Sequence, residues 1–549
     1  MMQTSGGHPS GATVADAIAR RLAQYGVERV FGIPGTHNLE LFRAFDATSI
    51  EVVSAHHEQG LGYAADAYAR VTGKPAVVIT TTGPGITNII TALATSLAAS
   101  VPVLAIAPGI PERGVGRKEG WLHDLPSQIG LMSQLLRSMR VRSGVEAVEF
   151  IDDVARSWAT ERPAPAYLEV PFDCFDVAAK IPPKLPAERS APAAWDYSAD
   201  EGIDRAAEFL ASSSSPLIIV GRGATNRRAA EAVRAIAERL QAPVMSTANA
   251  KGVLDERHAL SLGVSLRLKA GKSLIERADV LLVVGSDLGS SEFWGPFPGD
   301  ARRMVRVDVD AEAMSANASP RFALAGRSEC ILPRLAERLE CCLPTQPSAE
   351  WAASAGSAVE KDLARDGKVY RVFHEHLQEL TDQLDIAVTG DSSQATYFGT
   401  ATYWKANRPN RFLYPAGYGT LGYAIPAAVG AALTGEVDRV VAITGEGGML
   451  FSVQELATAS EYGLPIITIV FTNGGYQEIR DGMESAGIRP VGVGFPAPDF
   501  VSLSRGFHVE ARSIIADGAD EIEFRETLAW ALAQHRPTLI EVDLREIAL

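Results

Sequence analysis

Cysteine is scarce in this chain. The 549 residues hold four, Cys174, Cys330, Cys341 and Cys342, with no CxxC or zinc-like spacing among them. That argues against a disulfide framework and for a reducing compartment. Positive charge is in deficit too: 51 Lys and Arg against 66 Asp and Glu leave a formal charge of −15. The balance argues against a nucleic-acid binder and favours a cytoplasmic protein, while leaving the sign of any substrate open. No apolar run reaches about 18 residues without polar interruption, so no membrane span is expected. The opening "MMQTSGGHPSG" has neither a basic start nor an apolar core, so no signal peptide is expected. A dinucleotide fingerprint is missing as well. "VGRGA" and "VGSDLG" are glycine turns after apolar runs, but neither forms GxGxxG with an acidic residue about twenty positions on.

What is present describes a globular α/β protein of several domains. Hydrophobic residues make up 46% and charged residues 21%, ordinary values for a folded chain, and a length prior gives roughly three or four domains. Residues 12–176 alternate the helix-like "TVADAIARRLAQYG" with strand-like runs such as "PAVVITTT" and "VPVLAIAPG", the pattern of parallel βαβ units. This first unit, 1–182, closes at "PAYLEVPFD". A proline- and alanine-rich linker, "VAAKIPPKLPAERSAPAAWD", follows it. A second unit, 200–342, runs through "SPLIIVGRGA", "ADVLLVVGSDLG" and "RMVRVDVD". The loose stretch "CCLPTQPSAEWAASAGSA" separates it from a third, 360–549, which ends on "PTLIEVDL". The predicted fold is therefore α/β, with three doubly wound parallel-sheet domains.

The first and third units resemble each other. "TGPGITNIITALATSLAASVPVLAIA" starts at Thr82 and "TGEGGMLFSVQELATASEYGLPIITIV" at Thr444. One inserted residue aligns Pro102 with Pro465, and both segments pass through Leu-Ala-Thr. Chance likeness of generic βαβ units is the alternative.

In the second segment an apolar run enters the turn Thr444-Gly445-Glu446-Gly447-Gly448. A strand end, glycines and a helix start suit a phosphate, because backbone N–H groups converge there. A carboxylate would repel that phosphate unless a cation lay between them. Asn473 follows 27 positions later, across one helix and one strand, so both side chains are expected at the carboxyl ends of neighbouring strands. Carboxylate, amide and backbone carbonyl are hard oxygen donors suited to Mg²⁺ that keeps phosphate oxygens as further ligands. Each residue taken singly reads as a bland surface group; the combination is specific.

This combination resembles the cofactor signature of thiamine-diphosphate enzymes, a Gly-Asp-Gly turn followed by a pair of asparagines. The chain departs from it twice, with Glu446 for the aspartate and Thr472 for the first asparagine. The resemblance implies three domains of the thiamine-diphosphate decarboxylase type: pyrimidine-binding, central and diphosphate-binding. It implies Glu446, Asn473 and the Gly475 carbonyl as metal ligands, and Gly445, Gly447, Gly448, Asn473 and Tyr476 around the cofactor. "TGDSSQATYF" resembles the second diphosphate wall, with Ser392 and Ser393 as donors and Asp391 awkwardly placed beside them. "GYGTLGYAIPAAVGAAL" places Gly419 and Leu421 at the cofactor, the leucine as the apolar wedge that bends it. Within "SAHHEQGLGYAADAYARVTG", Glu58 matches the glutamate that hydrogen-bonds the aminopyrimidine and promotes loss of the thiazolium proton. A helix-start charge serving the dipole is the plain alternative. "GIPG" and "TTGPGITN" also match. The central domain has the Rossmann-like form in which some members hold FAD; FAD is not expected here.

The resemblance implies a small-molecule 2-oxo acid substrate and loss of CO2. It also implies a homodimer or homotetramer with active sites at subunit interfaces. Members differ in whether the remaining fragment is protonated to an aldehyde or added to a second carbonyl. Thr36 and His37 in "GIPGTHNLELF", and His123 and Asp124 in "GRKEGWLHDLPSQIG", lean toward protonation, since a histidine can deliver a proton near neutral pH; either histidine can equally be a loop residue without a role. "GTHNLEL", "WLHDLPSQ", "GYQEIRDGM" and "PDFVSLSRGF" look most like the branch that acts on 5-guanidino-2-oxopentanoate, the transamination product of arginine. A guanidinium wants carboxylates, and Glu478, Asp481, Glu484 and Asp124 are candidates, against a plain solvated helix face. Four alternatives remain open: a short aliphatic or aromatic 2-oxo acid as substrate, an acetolactate-synthase-like carboligase, a non-catalytic partner subunit suggested by the off-pattern Glu446 and Thr472, and an NAD-dependent enzyme weakened by the missing fingerprint.

Overall fold

Apolar runs buried on both faces pair in parallel, and their connecting amphipathic segments become the covering helices. The computed structural model describes residues 11–180, 182–183, 198–343, 349–365, 367–516 and 521–545. Most of the stretch read as the first linker, and the first ten residues, lie outside these. Two compact units emerge, Met1–Ala193 and Ala194–Leu549.

The first unit is built on one six-stranded sheet. Its strands are β1 (Arg29–Gly32), β2 (Glu51–Val53), β3 (Ala76–Ile79), β4 (Val103–Gly109), β5 (Arg137–Arg140) and β6 (Ala166–Pro171), ordered β2-β1-β3-β4-β6-β5. Every pairing is parallel, and β4 is buried at all seven positions. The expected helix at "TVADAIARRLAQ" forms over Val14–Gln24. Thr13 and Asp16 close a reciprocal capping box at its start.

The second unit carries two sheets. One has five strands, β7 (Pro216–Val220), β8 (Val244–Ser246), β9 (Val280–Val284), β10 (Met304–Asp308) and β11 (Phe322–Ala325), in the order β11-β10-β9-β7-β8. The other has six, β12 (Ile386–Gly390), β13 (Phe412–Leu413), β14 (Arg439–Gly445), β15 (Ile466–Thr472), β16 (Glu510–Ile515) and β17 (Thr538–Asp543), in the order β13-β12-β14-β15-β17-β16. Counted strand by strand, this last order repeats that of the first sheet. The internal sequence likeness is therefore matched by topology: the segments from Thr82 and Thr444 each begin at the carboxyl end of the third strand of their sheet.

The loose stretch before residue 360 needs correcting. From Ala349 it is a helix, Ala349–Leu363, whose Trp351, Ala355 and Val359 join the core under the five-stranded sheet. Trp351 Nε1–H donates to the Pro216 carbonyl at 2.8 Å. The four-residue spacing of those apolar positions is helical, but an alanine- and serine-rich composition conceals it. A buried ion pair also joins the two sheets of this unit. Lys251 Nζ lies 2.6 Å from Glu256 Oε2 and donates to the Ala401 carbonyl, and Glu256 accepts the Ala406 N–H.

In an open parallel sheet, ligands bind outside the carboxyl ends of the strands where the chain order reverses. Those points are β1/β3, β7/β9 and β12/β14. At β7/β9 the crevice is filled by the chain itself. Gly223 N–H donates to the Gly285 carbonyl at 3.0 Å, and a Cβ on Gly221 or Gly223 would fall 2.2 Å from the Gly285 oxygen or 2.6 Å from its Cα. The glycines of "VGRGA" and "VGSDLG" thus allow two turns to pack on each other.

Candidate functional site

At β12/β14 the structure gathers the residues selected around Glu446. Gly445 ends β14, and Glu446 opens the short helix Glu446–Met449 with its side chain buried. Its Oε1 accepts three backbone N–H groups from the turn after β15: Asn473 at 2.9 Å, Gly474 at 2.7 Å and Gly475 at 2.8 Å. Gly474 and Gly475 hold φ of +90° and +140°, a conformation that points successive N–H groups to one place. None of these bonds uses Oε2. In the turn that supplies these donors and at the strand end before it, Asn473 Oδ1 and Thr472 Oγ1 are buried with no hydrogen-bond partner. A buried amide oxygen left unpaired costs about 1–3 kcal/mol, which a cation would offset. No cluster of three or more His, Cys, Asp or Glu able to hold a metal occurs among the described residues. A cation here would rest on one carboxylate and neutral oxygens, a set that suits Mg²⁺ with phosphate.

The surrounding glycines make room. A Cβ on Gly447 would strike the Tyr476 ring at 2.4 Å, and one on Gly448 would meet Asp391 Oδ2 at 2.8 Å. The bare faces of Gly445 and Gly419 lie 3.7 Å from Ser393 Cβ and 3.9 Å from Ser392 Oγ. Leu421, half-buried, follows Gly419 in a loop where Gly417, Gly419 and Gly422 all have positive φ. Asp391 points away from this cradle. It accepts the Tyr423 N–H and the Thr444 hydroxyl, each at 2.9 Å, tying the ends of β12 and β14 to the next helix, and burial pushes its carboxyl up to about 6.

On the helix Gln477–Ser485, Glu478 and Asp481 converge on a single amide nitrogen, Gln394 Nε2, at 3.0 and 2.8 Å. No described lysine or arginine forms an ion pair with either carboxylate. Glu484 is exposed and fits the solvated-face reading.

In the first unit, Glu58 is the first residue of the helix Glu58–Thr72. Its Oε2 accepts from Asn88 Nδ2 at 3.0 Å, and the bare face of Gly85 lies 3.4 Å from its Oε1. At β1/β3 two histidines meet across one hydroxyl: Thr82 Oγ1 is 2.7 Å from His37 Nδ1 and 3.3 Å from His123 Nδ1. His37 stacks on Phe172 with centroids 4.6 Å apart. Burial, and secondarily the neighbouring His123, hold its imidazole below the ordinary range. Thr36 is exposed beside His37, and Asp124 is half-buried in the turn after His123. Gly83 N–H donates to Gln128 Oε1 at 2.9 Å. Gln128 Nε2 in turn reaches the Pro108 carbonyl, the Tyr167 hydroxyl and Glu169.

Sequence reasoning passed over Thr82, Gln128, Phe172 and Gln394. Thr82 stood inside a quoted motif, but nothing in spacing links it to histidines 45 and 41 positions away.

Residues 12–131 match the N-terminal TPP binding domain of thiamine pyrophosphate enzymes, 203–335 their central domain and 391–542 their C-terminal TPP binding domain. The chain is 34% identical over 555 residues to a probable 2-ketoarginine decarboxylase of Pseudomonas aeruginosa, covering 96% of this chain and 94% of that one. It is 28% identical to a probable acetolactate synthase large subunit of Methanocaldococcus jannaschii, with 96% and 91% covered. Against the acetolactate synthase isozyme 1 large subunit of Escherichia coli it is 29% identical, with 84% and 82% covered.

Proposed function

Since this chain belongs to the thiamine pyrophosphate enzymes, we propose that it removes CO2 from a 2-oxo acid and releases an aldehyde, with 2-ketoarginine (5-guanidino-2-oxopentanoate) as the acid. Bound thiamine diphosphate supplies the nucleophilic carbon and the electron sink for this chemistry. The rest falls to the chain. Glu446, Asn473 and the Gly475 carbonyl hold Mg²⁺. Ser392, Ser393, Gly445, Gly447 and Gly448 enclose the diphosphate, and Gly419, Leu421 and Tyr476 seat the rings. Glu58, kept in place by Asn88, would hydrogen-bond the aminopyrimidine of the bound cofactor. His123, with Thr36 and Asp124 on neighbouring turns, manages protons at the substrate. The protein is on this reading a cytoplasmic homodimer or homotetramer, with domains 1–182, 200–342 and 360–549.

The observation that carries the decarboxylase reading is the pair of imidazoles at β1/β3, which can deliver the proton that an aldehyde product requires. The choice of a guanidinium substrate is supported by Glu478 and Asp481, two half-buried carboxylates with only a neutral amide between them. The acetolactate synthase relatives favour a second reading, in which the product is joined to another 2-oxo acid.

The test is CO2 release by the purified protein with thiamine diphosphate and Mg²⁺ across a panel of 2-oxo acids, with products identified. Aldehyde from 2-ketoarginine in preference to pyruvate is the expected result. Acetolactate from pyruvate moves the protein to the carboligases, and bound cofactor without turnover of any acid points to a non-catalytic subunit.

A further inference from the structure

Thr82 is buried and has one hydroxyl proton, yet both of its neighbours present an imidazole Nδ1. It can donate to only one of them, and were it to accept from both, its own proton would be buried with no other described acceptor, so it donates to one ring and accepts from the other. If it donates to His37 Nδ1, then His37 carries its own proton on Nε2, while His123 donates from Nδ1 and leaves its Nε2 bare. Reversing the hydroxyl inverts both rings. The two neutral tautomers are therefore locked in opposition, because the hydrogen bond at one ring nitrogen decides the state of the other.

We propose that His37, Thr82 and His123 form one proton-passing unit, with Thr82 the link that moves a proton from one ring to the other. Its steps balance. A proton arrives at the bare Nε2 of His123. The Nδ1 proton of His123 then passes to Thr82 Oγ1 as the Thr82 proton passes to His37 Nδ1. His37, now carrying two protons, releases the one on Nε2. One proton has crossed, and both rings have changed tautomer. Run in the opposite sense, the unit delivers a proton from His123 Nε2 and is refilled at His37 Nε2.

The parts are held for this task. Phe172 fixes the His37 ring by stacking, and the edge of Trp121 lies against Phe172. His123 sits at φ +65°, in the left-handed region that histidine enters more readily than most side chains. Its carbonyl fills the space a side chain on Gly83 would need, 2.5 Å from that Cβ position. Gln128 clamps the Gly83 N–H beside Thr82 and is itself fixed by Pro108, Tyr167 and Glu169; Arg140 pairs with Glu169 from the other side. The lowered affinity of His37 for a second proton agrees with a pair that holds one transferable proton at a time.

The direction of delivery rests on the decarboxylase reading; the tautomer lock does not. The experiment therefore has two arms. In the first, ¹⁵N NMR of histidine-labelled full-length protein without cofactor identifies the tautomer of each ring, with His37→Phe and His123→Phe used for assignment. Opposite tautomers are expected in the parent and in Thr82→Ser, and a loss of that opposition in Thr82→Val. Like tautomers in the parent, or opposition that survives Thr82→Val, overturn the proposal. In the second arm, the cofactor-loaded Thr82→Val enzyme should lose about tenfold or more in kcat with KM little changed, and Thr82→Ser should recover most of it. Adding His37→Phe to Thr82→Val should cost nothing further, since residues acting as a unit are non-additive. Additive losses overturn the relay as well. An intact tautomer lock in a protein that turns over no 2-oxo acid leaves the lock standing and removes the decarboxylase reading.

Discussion

After the third strand of the first sheet the chain reads Thr82-Gly83-Pro84-Gly85, and from the last residues of the third strand of the last sheet it reads Thr444-Gly445-Glu446-Gly447. The two turns occupy the same topological position, at crevices β1/β3 and β12/β14, and differ at their third residue. Pro84 has no N–H, the Gly83 N–H beside it is taken by Gln128, and the space over Gly83 is filled by His123. Glu446 reaches across to collect three N–H groups from the neighbouring turn on one oxygen, and the amide oxygen of Asn473 in that turn is left unpaired. On the proposed function, one βαβ frame serves the movement of protons and the other the holding of a charged ligand. Backbone topology sets where a ligand can lie, and a single side chain in the turn decides what the place is for.

That contrast can be broken in order of expected effect. The largest loss should come from Glu58→Gln: turnover falls on the order of a thousandfold, while calorimetry still detects cofactor and Mg²⁺. Loss of binding instead would place Glu58 on the holding side. Glu446→Gln should do the reverse. Mg²⁺-dependent cofactor affinity drops on the order of a hundredfold, and added Mg²⁺ restores part of the turnover; unchanged affinity would mean that Glu446 serves the backbone turn alone.

Asp391 sharpens the comparison through pH. Its folded-state value of about 6 lies above the ordinary aspartate range, so the folded protein binds the extra proton. Stability should fall as pH rises from about 4 to about 6, by up to about 3 kcal/mol from this group. Asp391→Asn should flatten that slope and raise the unfolding midpoint at pH 8 with little change at pH 4. A midpoint lowered equally at both would show that the carboxylate's hydrogen bonds outweigh its burial. The smallest effect belongs to Pro84→Glu, which copies the second turn into the first. It should cost about 1 kcal/mol, from a lost first-turn proline and a new charge close to Glu58, and gain no Mg²⁺ site, because the donors that would steady it are already engaged. Calorimetric Mg²⁺ binding that appears only in this variant would defeat the comparison.

Much of the fold was legible because period and punctuation are local. The runs "VPVLAIAPG" and "PTLIEVDL" became β4 and β17, and the helix-like "TVADAIARRLAQYG" became the helix Val14–Gln24. The helix Ala349–Leu363 escaped because small residues weaken the apolar stripe on which the pattern depends. Glu446 and Asn473 were found together because one strand and one helix separate neighbouring strand ends in any parallel βαβ unit, which makes a sequence interval a spatial contact. His37 and His123 were each noticed, but the hydroxyl between them was not.

The difference has a physical cause. Strand periodicity, glycine turns and the interval between Glu446 and Asn473 follow from backbone geometry that each short segment carries within itself, so the sequence alone determined the α/β class, the repeated unit and the meeting of Glu446 with the turn at Asn473. The choice of Glu446 Oε1 to bind three N–H groups, the turning of Asp391 away from the cradle, and the meeting of His37, Thr82 and His123 depend on loops from different strands being packed at one edge. Those decisions belong to side chains competing for donors and space, and only the tertiary structure makes them.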